Sequence, residues 1–250
     1  MFKVKVTDLL FELSNEERLR ILHLLNDEPK KLSDIAKILD ITTSETSRHL
    51  SRLSDKGAIE KNSNGEYCLN GYGDLLIQMT SYFEFLVDKG EYIQTHDLSV
   101  IPSSFITQLG SLKDSMIVSG VYQVMDVQMA AVTESKERIW IVSPEPYRQI
   151  GSVLDEKIAS GIDVRIILEE KGTGTHTHKH IAGLNGKYFR TLPTVPILIG
   201  VFDEGGGVCF PDKSGKVDFS VMISGISEEF NSWISEVFQY YWNMTVHLAE

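Results

Sequence analysis

"TTSETSRHLSRLSDKGAIEK", residues 42–61, decides the fold. Thr42 with Glu45 three positions on is a capping-box pair, and it opens a helix running to about Lys56. Gly57 stands where a left-handed helix-ending residue belongs. Within the helix, Thr46, Leu50 and Leu53 are spaced i, i+4, i+7 and form a narrow inward stripe. Thr43, Ser44, Ser47, Arg48, Ser51 and Arg52 then face outward. A merely solvated helix favours Glu and Lys. Small hydroxyls with arginines suit phosphate oxygens and guanine edges instead. Glu45 has two readings, as the cap or as an acceptor from cytosine, and the cap is the simpler. His49 flanks the inward stripe and is read either as half-buried packing or as a phosphate contact.

Upstream, Ser14 and Glu17 form a second capping-box pattern. It predicts a helix to about Asn26, with Leu19, Leu22 and Leu25 on one face. Pro29 breaks the chain. Ser33 caps a short helix holding Ile35, Ala36 and Leu39, and "DITT" is a tight turn. Downstream, "AIEKNSNGEYCLN" reads as two strands around Asn64-Gly65. Three helices and a hairpin make a winged helix-turn-helix, with the hairpin as wing. Lys56, Lys61, Asn62 and Asn64 join the candidate DNA-contacting residues.

"KLSDIAKILDITTSETSRHLSRLSDKGAIEK" resembles the arsenical-resistance-type winged-helix repressors and related archaeal ones, over residues 10–70. Some of those repressors sense metals through cysteines near the second helix. Residues 28–42 contain none, so that mode does not carry over.

The whole chain of 250 residues is acidic, with 24 Lys+Arg against 35 Asp+Glu. Net −3 falls on residues 1–90 (12 basic, 15 acidic) and −8 on residues 91–250 (12 basic, 20 acidic). Within 44–61 the balance reverses. A local basic stripe on an acidic chain favours site-selective over indiscriminate polyanion binding. No apolar run approaches the ~18 residues of a membrane span, and the N-terminus lacks the pattern of a signal peptide. Cys68 and Cys209 lie far apart, which fits a reducing cytoplasm.

Residues 73–110 read as connecting, dimerising helices between a winged helix at 1–72 and an α/β mixed-sheet domain at 111–250. In "GYGDLLIQMTSYFEFLVDKG" one apolar stripe is Leu75, Met79, Tyr82 and Leu86, and an adjacent one is Leu76, Phe83 and Val87. So wide an apolar face needs cover, either from the chain itself or from a twofold mate.

Beyond residue 110, "RIWIVSP", "EPYRQIGSVLDEKIASG" and "IDVRIILEE" form a strand–helix–strand unit with Ile150, Val153, Leu154 and Ile158 inward. "PILIGVFDEGGGVCFPD" reads as a hairpin with a glycine-rich tip. The last helix carries Phe230, Trp233, Val237, Tyr240 and Tyr241, read as core. "RIWIVSP", "GIDVRIILEE" and "ILIGVFDEGGGVCFPDKSGKVDFS" resemble the effector domain of archaeal regulators of the methanogenesis-regulatory type. More distantly the layout is similar to half of a phospholipase-D-like fold. That resemblance implies a cytoplasmic homodimer responsive to a small ligand.

Candidate ligand residues are Ser143, Tyr147 and Arg148 at a strand's carboxyl end, His176 and His178 in "GTGTHTHKH", and Asp203 and Glu204 beside the glycines. On a strand, His176, His178 and His180 would share a face and suit a metal. As a loop they are polar surface or a pocket rim, and no metal is assigned. Phospholipase-D chemistry needs a His-x-Lys-x4-Asp set. Here Lys179 follows His178 directly, with no Asp in register, so the enzyme reading is the weaker alternative. Without a cofactor motif, the sequence predicts a non-enzymatic regulator that binds an operator in double-stranded DNA and a small effector, with no membrane span.

Overall fold

The computed structural model describes residues 5–146, 150–172 and 188–247. The chain divides into two compact units between Ser81 and Tyr82.

The first unit is built from α1 (Val6–Leu13), α2 (Glu16–Asp27), α3 (Leu32–Leu39) and α4 (Thr43–Asp55), followed by β1 (Ile59–Lys61) and β2 (Tyr67–Leu69). Helix α1 was not anticipated, and it moves the next cap by one residue. Ser14 closes α1, and the Asn15 side chain caps α2 by accepting from Arg18 N. Ser33 caps nothing, because α3 already starts at Leu32. Asp40, at φ 55°, makes the left-handed turn between α3 and α4. Its short polar side chain is among the few that tolerate that conformation.

The ends of α4 are as its sequence dictates. Glu45 N donates to Thr42 Oγ1 at 3.2 Å, and Thr42 N donates back to Glu45 Oε2 at 3.0 Å. At the other end Ala58 N reaches Leu53 O, Gly57 N reaches Ser54 O, and Gly57 takes φ 74°. These are the two bonds of a Schellman motif. Thr46, Leu50 and Leu53 are buried, and both leucines join a core with Ile21, Leu22, Ile35 and Ile59.

The wing pairs Ile59 with Leu69 and Lys61 with Tyr67 in antiparallel register. Its loop is longer than a two-residue Asn-Gly turn. Asn62 Oδ1 accepts from Asn64 N and Glu66 N, and Gly65 sits at φ 79°. Backbone bonds between Lys30 and Tyr67 fasten the wing to the segment joining α2 and α3.

Helix α5 (Gly71–Asp88) buries Leu76 and Ile77 in the core of the first unit, and Phe85 in that of the second. The second unit continues with α6 (Gly90–Thr95), α7 (Ser103–Ile106), β3 (Met116–Ser119) and α8 (Val121–Glu134). Then come β4 (Arg138–Ser143), α9 (Gly151–Ala159), β5 (Asp163–Glu169), β6 (Phe189–Leu192), β7 (Leu198–Phe202), β8 (Gly205–Cys209), β9 (Val221–Gly225), α10 (Glu228–Met244) and β10 (Val246–His247). The sheet runs β10-β6-β5-β4-β7-β8-β9-β3. It is parallel from β6 through β4 and antiparallel elsewhere. The expected fold class, a winged helix followed by an α/β mixed-sheet domain, is borne out.

One face of this sheet packs on α10, which buries Phe230, Trp233, Ile234, Val237, Phe238, Tyr241 and Trp242. The far side of α10 is covered by residues 85–112. There Trp233 Nε1 donates to Phe105 O and Tyr241 Oη to Val100 O. The aromatic helix is therefore core, as its sequence suggests, with Tyr240 at the rim. The opposite face carries α8 and α9.

The glycine run is not a hairpin tip. Gly205, Gly206 and Gly207 lie in β8, paired with β7 on one side and, from Gly206 on, with β9 on the other. The tip is Asp203-Glu204, since Phe202 already pairs with Gly205. A Cβ on Gly206 would stand 2.3 Å from Gly200 O, and one on Gly207 would stand 2.4 Å from Met222 Sδ. The glycines are there for close approach.

Candidate functional site

The outward face of α4 is exposed at Thr43, Ser44, Ser47, Arg48 and Ser51. Below it the helix is fixed by buried groups. Glu12, buried at the end of α1, receives Arg52 Nε at 2.8 Å on Oε2 and Arg52 Nη2 at 2.7 Å on Oε1. Arg18 approaches the same carboxylate at 3.1 Å and donates its Nε to Glu12 O at 2.7 Å. The hydrogen bond from Arg52 holds the Glu12 carboxyl below its usual range. Burial opposes that shift, and the charges of Arg18 and Arg52 reinforce it. One carboxylate thus ties α1, α2 and α4 together.

Arg52, expected as an outward DNA contact, stays partly exposed but pairs with Glu12. Its guanidinium is spent on Glu12 and lies 5.5 Å from the Phe11 ring. Arg48 remains as the exposed arginine of the helix. Of the two readings of His49, burial favours packing: the side chain is buried, with Nδ1 unpartnered. Burial first, then the charges of Arg18 and Arg48, lower its pKa, so it is neutral at pH 7. Glu45 is the cap. The Thr42 hydroxyl and backbone N–H both donate to it and hold its carboxyl low. In the wing, Lys61 is exposed, with Nζ 4.8 Å from the Tyr67 ring. Asn64 is exposed, Asn62 spends its side chain on the loop, and Lys56 is half-buried where α4 ends.

This is a helix with a polar, arginine-bearing face beside a two-stranded wing. The pattern of the bacterial regulatory protein arsR family matches residues 15–61, which span α2 through β1. Uncharacterized HTH-type transcriptional regulator MJ0229 of Methanocaldococcus jannaschii is 32% identical over 77 residues, 31% of this chain and 77% of that protein. The chain belongs to the HTH-type transcriptional regulators. It is a DNA-binding regulator with an arsR-type reading head.

Among solved structures, the regulator is similar to TrmBL2, an archaeal chromatin protein, with a TM-score of 0.46 and 14% identity over 94% of each chain. It is also similar to the phospholipase D family member Nuc from Salmonella typhimurium, with a TM-score of 0.42 and 16% identity. That match covers 55% of the regulator and 100% of Nuc.

Of the expected ligand residues of the second unit, the described Ser143 and Asp203 stand at opposite ends of β4. Ser143 ends β4, fully buried, and its hydroxyl donates to Glu145 O at 2.6 Å. Asp203 lies beyond the opposite end of β4, because β7 runs antiparallel to it. The Asp203 carboxylate accepts from Lys136 N at 2.6 Å, Arg138 N at 2.9 Å and Glu137 N at 3.2 Å. Burial raises its pKa, but these three donors outweigh burial and hold the carboxyl low. Asp203 is thus a clasp between two turns. Tyr147, Arg148, His176, His178 and His180 lie outside the described residues, as does Lys179. Cys209 is buried, which pushes its thiol pKa up and leaves it unreactive.

Two hollows lie on the α8 face of the sheet. An open groove of about 810 Å³ runs between α8 and β8–β9, with Gln128, Lys136, Asp203, Glu204 and Ser224 along it. A smaller cavity of about 130 Å³ lies under α8 and shares Gln128 and Phe202 with the groove. Neither has a local sign in the sequence. They depend on how far α8 stands from strands that follow it in the chain. Among the described residues no helix is long and apolar enough to cross a membrane.

Proposed function

We propose that the regulator binds a specific operator in double-stranded DNA through Thr43, Ser44, Ser47, Arg48 and Ser51, with Lys56, Lys61 and Asn64 on the backbone. A small molecule bound in the C-terminal unit modulates that binding. The carrying observation is the α4 face: Arg48 is exposed between three serines, while Glu12 and the Thr42–Glu45 box hold the helix rigid beneath it. A rigid element presenting one free guanidinium suits bidentate reading of guanine. Residues 1–72 form the reading head, 73–110 the connection and 111–250 the effector domain, acting in the cytoplasm.

The groove beside α8 supports the effector role, since ligand sites are concave hollows of about 300–1,000 Å³ with a few polar groups. Ligand can shift DNA affinity only by its differential affinity for two states of the protein. A screen of cell metabolites by thermal shift, repeated as operator titrations, tests this. A metabolite that raises the melting temperature and alters operator affinity is expected. If no binder alters operator affinity, the effector role fails.

Helix α5 supports a homodimer. Tyr72, Leu75, Met79, Phe83 and Val87 share one exposed stripe, with Val87 85% exposed. A lone exposed apolar residue is ordinary, but a contiguous stripe marks an interface. Two heads held by such a pair would read half-sites about one DNA turn apart, ~34–36 Å.

A further inference from the structure

Helix α8 is fourteen residues long yet fully buries only Val124 and Val132. These belong to separate clusters. Val124 packs with Leu198, Cys209, Val217 and Met222. Val132 packs with Ile139, Ile141, Ile150, Leu154 and Phe202. Between them the helix spans a gap, and the 130 Å³ cavity fills it. Met125, Gln128 and Met129, one turn of α8, form its roof. Leu198, Ile199 and Gly200 of β7 form its floor, with Phe202 and Ile141 beside them. A void of this size under a helix forfeits packing. An apolar hollow of about 150 Å³ stays dry and takes up benzene or xenon.

The rim has two polar side chains, Gln128 and Asp126. The Gln128 amide nitrogen points to Met222 Sδ at 3.6 Å, a weak acceptor that a ligand oxygen would replace with gain. Asp126 opposes a second negative charge there. Methionine walls adapt their shape to an inserted group.

We infer that this cavity is the specificity pocket of the effector site. It takes a benzene-sized apolar body with an uncharged hydrogen-bonding head, the head lying at Gln128 where the cavity meets the open groove. Occupancy joins the two clusters under α8 and fixes that helix on the sheet. This deepens the effector role proposed above and rests on it only for its consequence in DNA binding.

The test uses the full chain with methionine methyls labelled with carbon-13, titrated with xenon, phenol and benzoate. Phenol and xenon are expected to shift the Met125 and Met129 methyl signals saturably, leaving the exposed Met79 and Met244 unmoved. Benzoate should bind at least about tenfold more weakly than phenol, the cost of an unfavourable charge at the rim. Gln128→Leu should weaken phenol about fivefold, one hydrogen bond's worth, and leave xenon unchanged. Met129→Trp, which fills the void, should abolish the Met125 shift with either probe. Unmoved Met125 and Met129 signals in the unaltered protein would overturn the inference, as would equal shifts at Met79 and Met244 or benzoate binding as tightly as phenol. Saturable phenol binding without any change in operator affinity would support the pocket and count against the effector role. A metabolite that changes operator affinity in the Met129→Trp protein as in the unaltered one would do the reverse.

Discussion

Arg52 and Glu12 meet in a two-point contact, Nε to Oε2 at 2.8 Å and Nη2 to Oε1 at 2.7 Å, across forty residues of chain. The pair draws α4 onto α1 and ties down an arginine that periodicity leaves free on the outward face. Glu12→Gln leaves the buried Arg18 without its counter-charge. Breaking a buried pair this way costs about 3 kcal/mol. Urea unfolding of the first unit within the full chain should show that loss, and an unchanged midpoint would refute the clamp.

The same contact sets an acid limit. The Glu12 carboxyl is held below the usual 4.5 when folded. A carboxylate with a depressed folded pKa contributes stability above its unfolded value and loses it as pH falls through the folded one. The first unit should therefore weaken as pH drops below about 4.5, and Glu12→Gln should flatten that part of the profile. Melting curves between pH 3 and 7 on both proteins measure it. Parallel profiles would contradict this role for Glu12.

Thr42→Ala removes the cap of α4 and should cost about 1 kcal/mol. Leu50→Ala, under the same helix, should cost about 2–5 kcal/mol because Leu50 is fully buried. Chemical denaturation separates the two magnitudes. Equal effects would mean that the inward face of α4 has been assigned wrongly.

How far these features were legible follows the range of the forces behind them. Thr42, Glu45 and Gly57 act within one turn of their own helix ends, so the limits of α4 could be read from the letters at each end. The split of α4 into Leu50 inside and Arg48 outside also follows from spacing alone. Helix α1 was missed because its anchor, Glu12, is explained only by Arg52 and Arg18. Without α1, Ser14 looked like a cap, while the chain uses Asn15. The "EGGGV" run read as a flexible tip because glycines mark turns locally. Gly206 is instead required by Gly200 O and Ile234, from a neighbouring strand and the last helix. Asp203 looked like a ligand carboxylate, yet it is saturated by backbone donors 65–67 residues away. The cavity under α8 had no local sign.

Gly206→Ala tests the strand assignment. The added methyl would meet Gly200 O at 2.3 Å, which is backbone and cannot swing aside. Overpacking of this kind costs about 1–3 kcal/mol or more. Gly215→Ala serves as control: it has open space and only its φ of 85° to strain. Thermal melts should place Gly206→Ala well below Gly215→Ala. The reverse order would restore the flexible-tip reading.

The most direct test of the central claim is DNA binding by Arg48→Ala. The full chain selects its preferred duplex from a random-sequence pool, and both proteins are then titrated against it and its single-base variants at fixed salt. Loss of one guanine contact should weaken binding by about 1–3 kcal/mol, or roughly 5- to 150-fold, and relax preference at one position in each half-site. Equal affinity and an unchanged base preference would contradict the account.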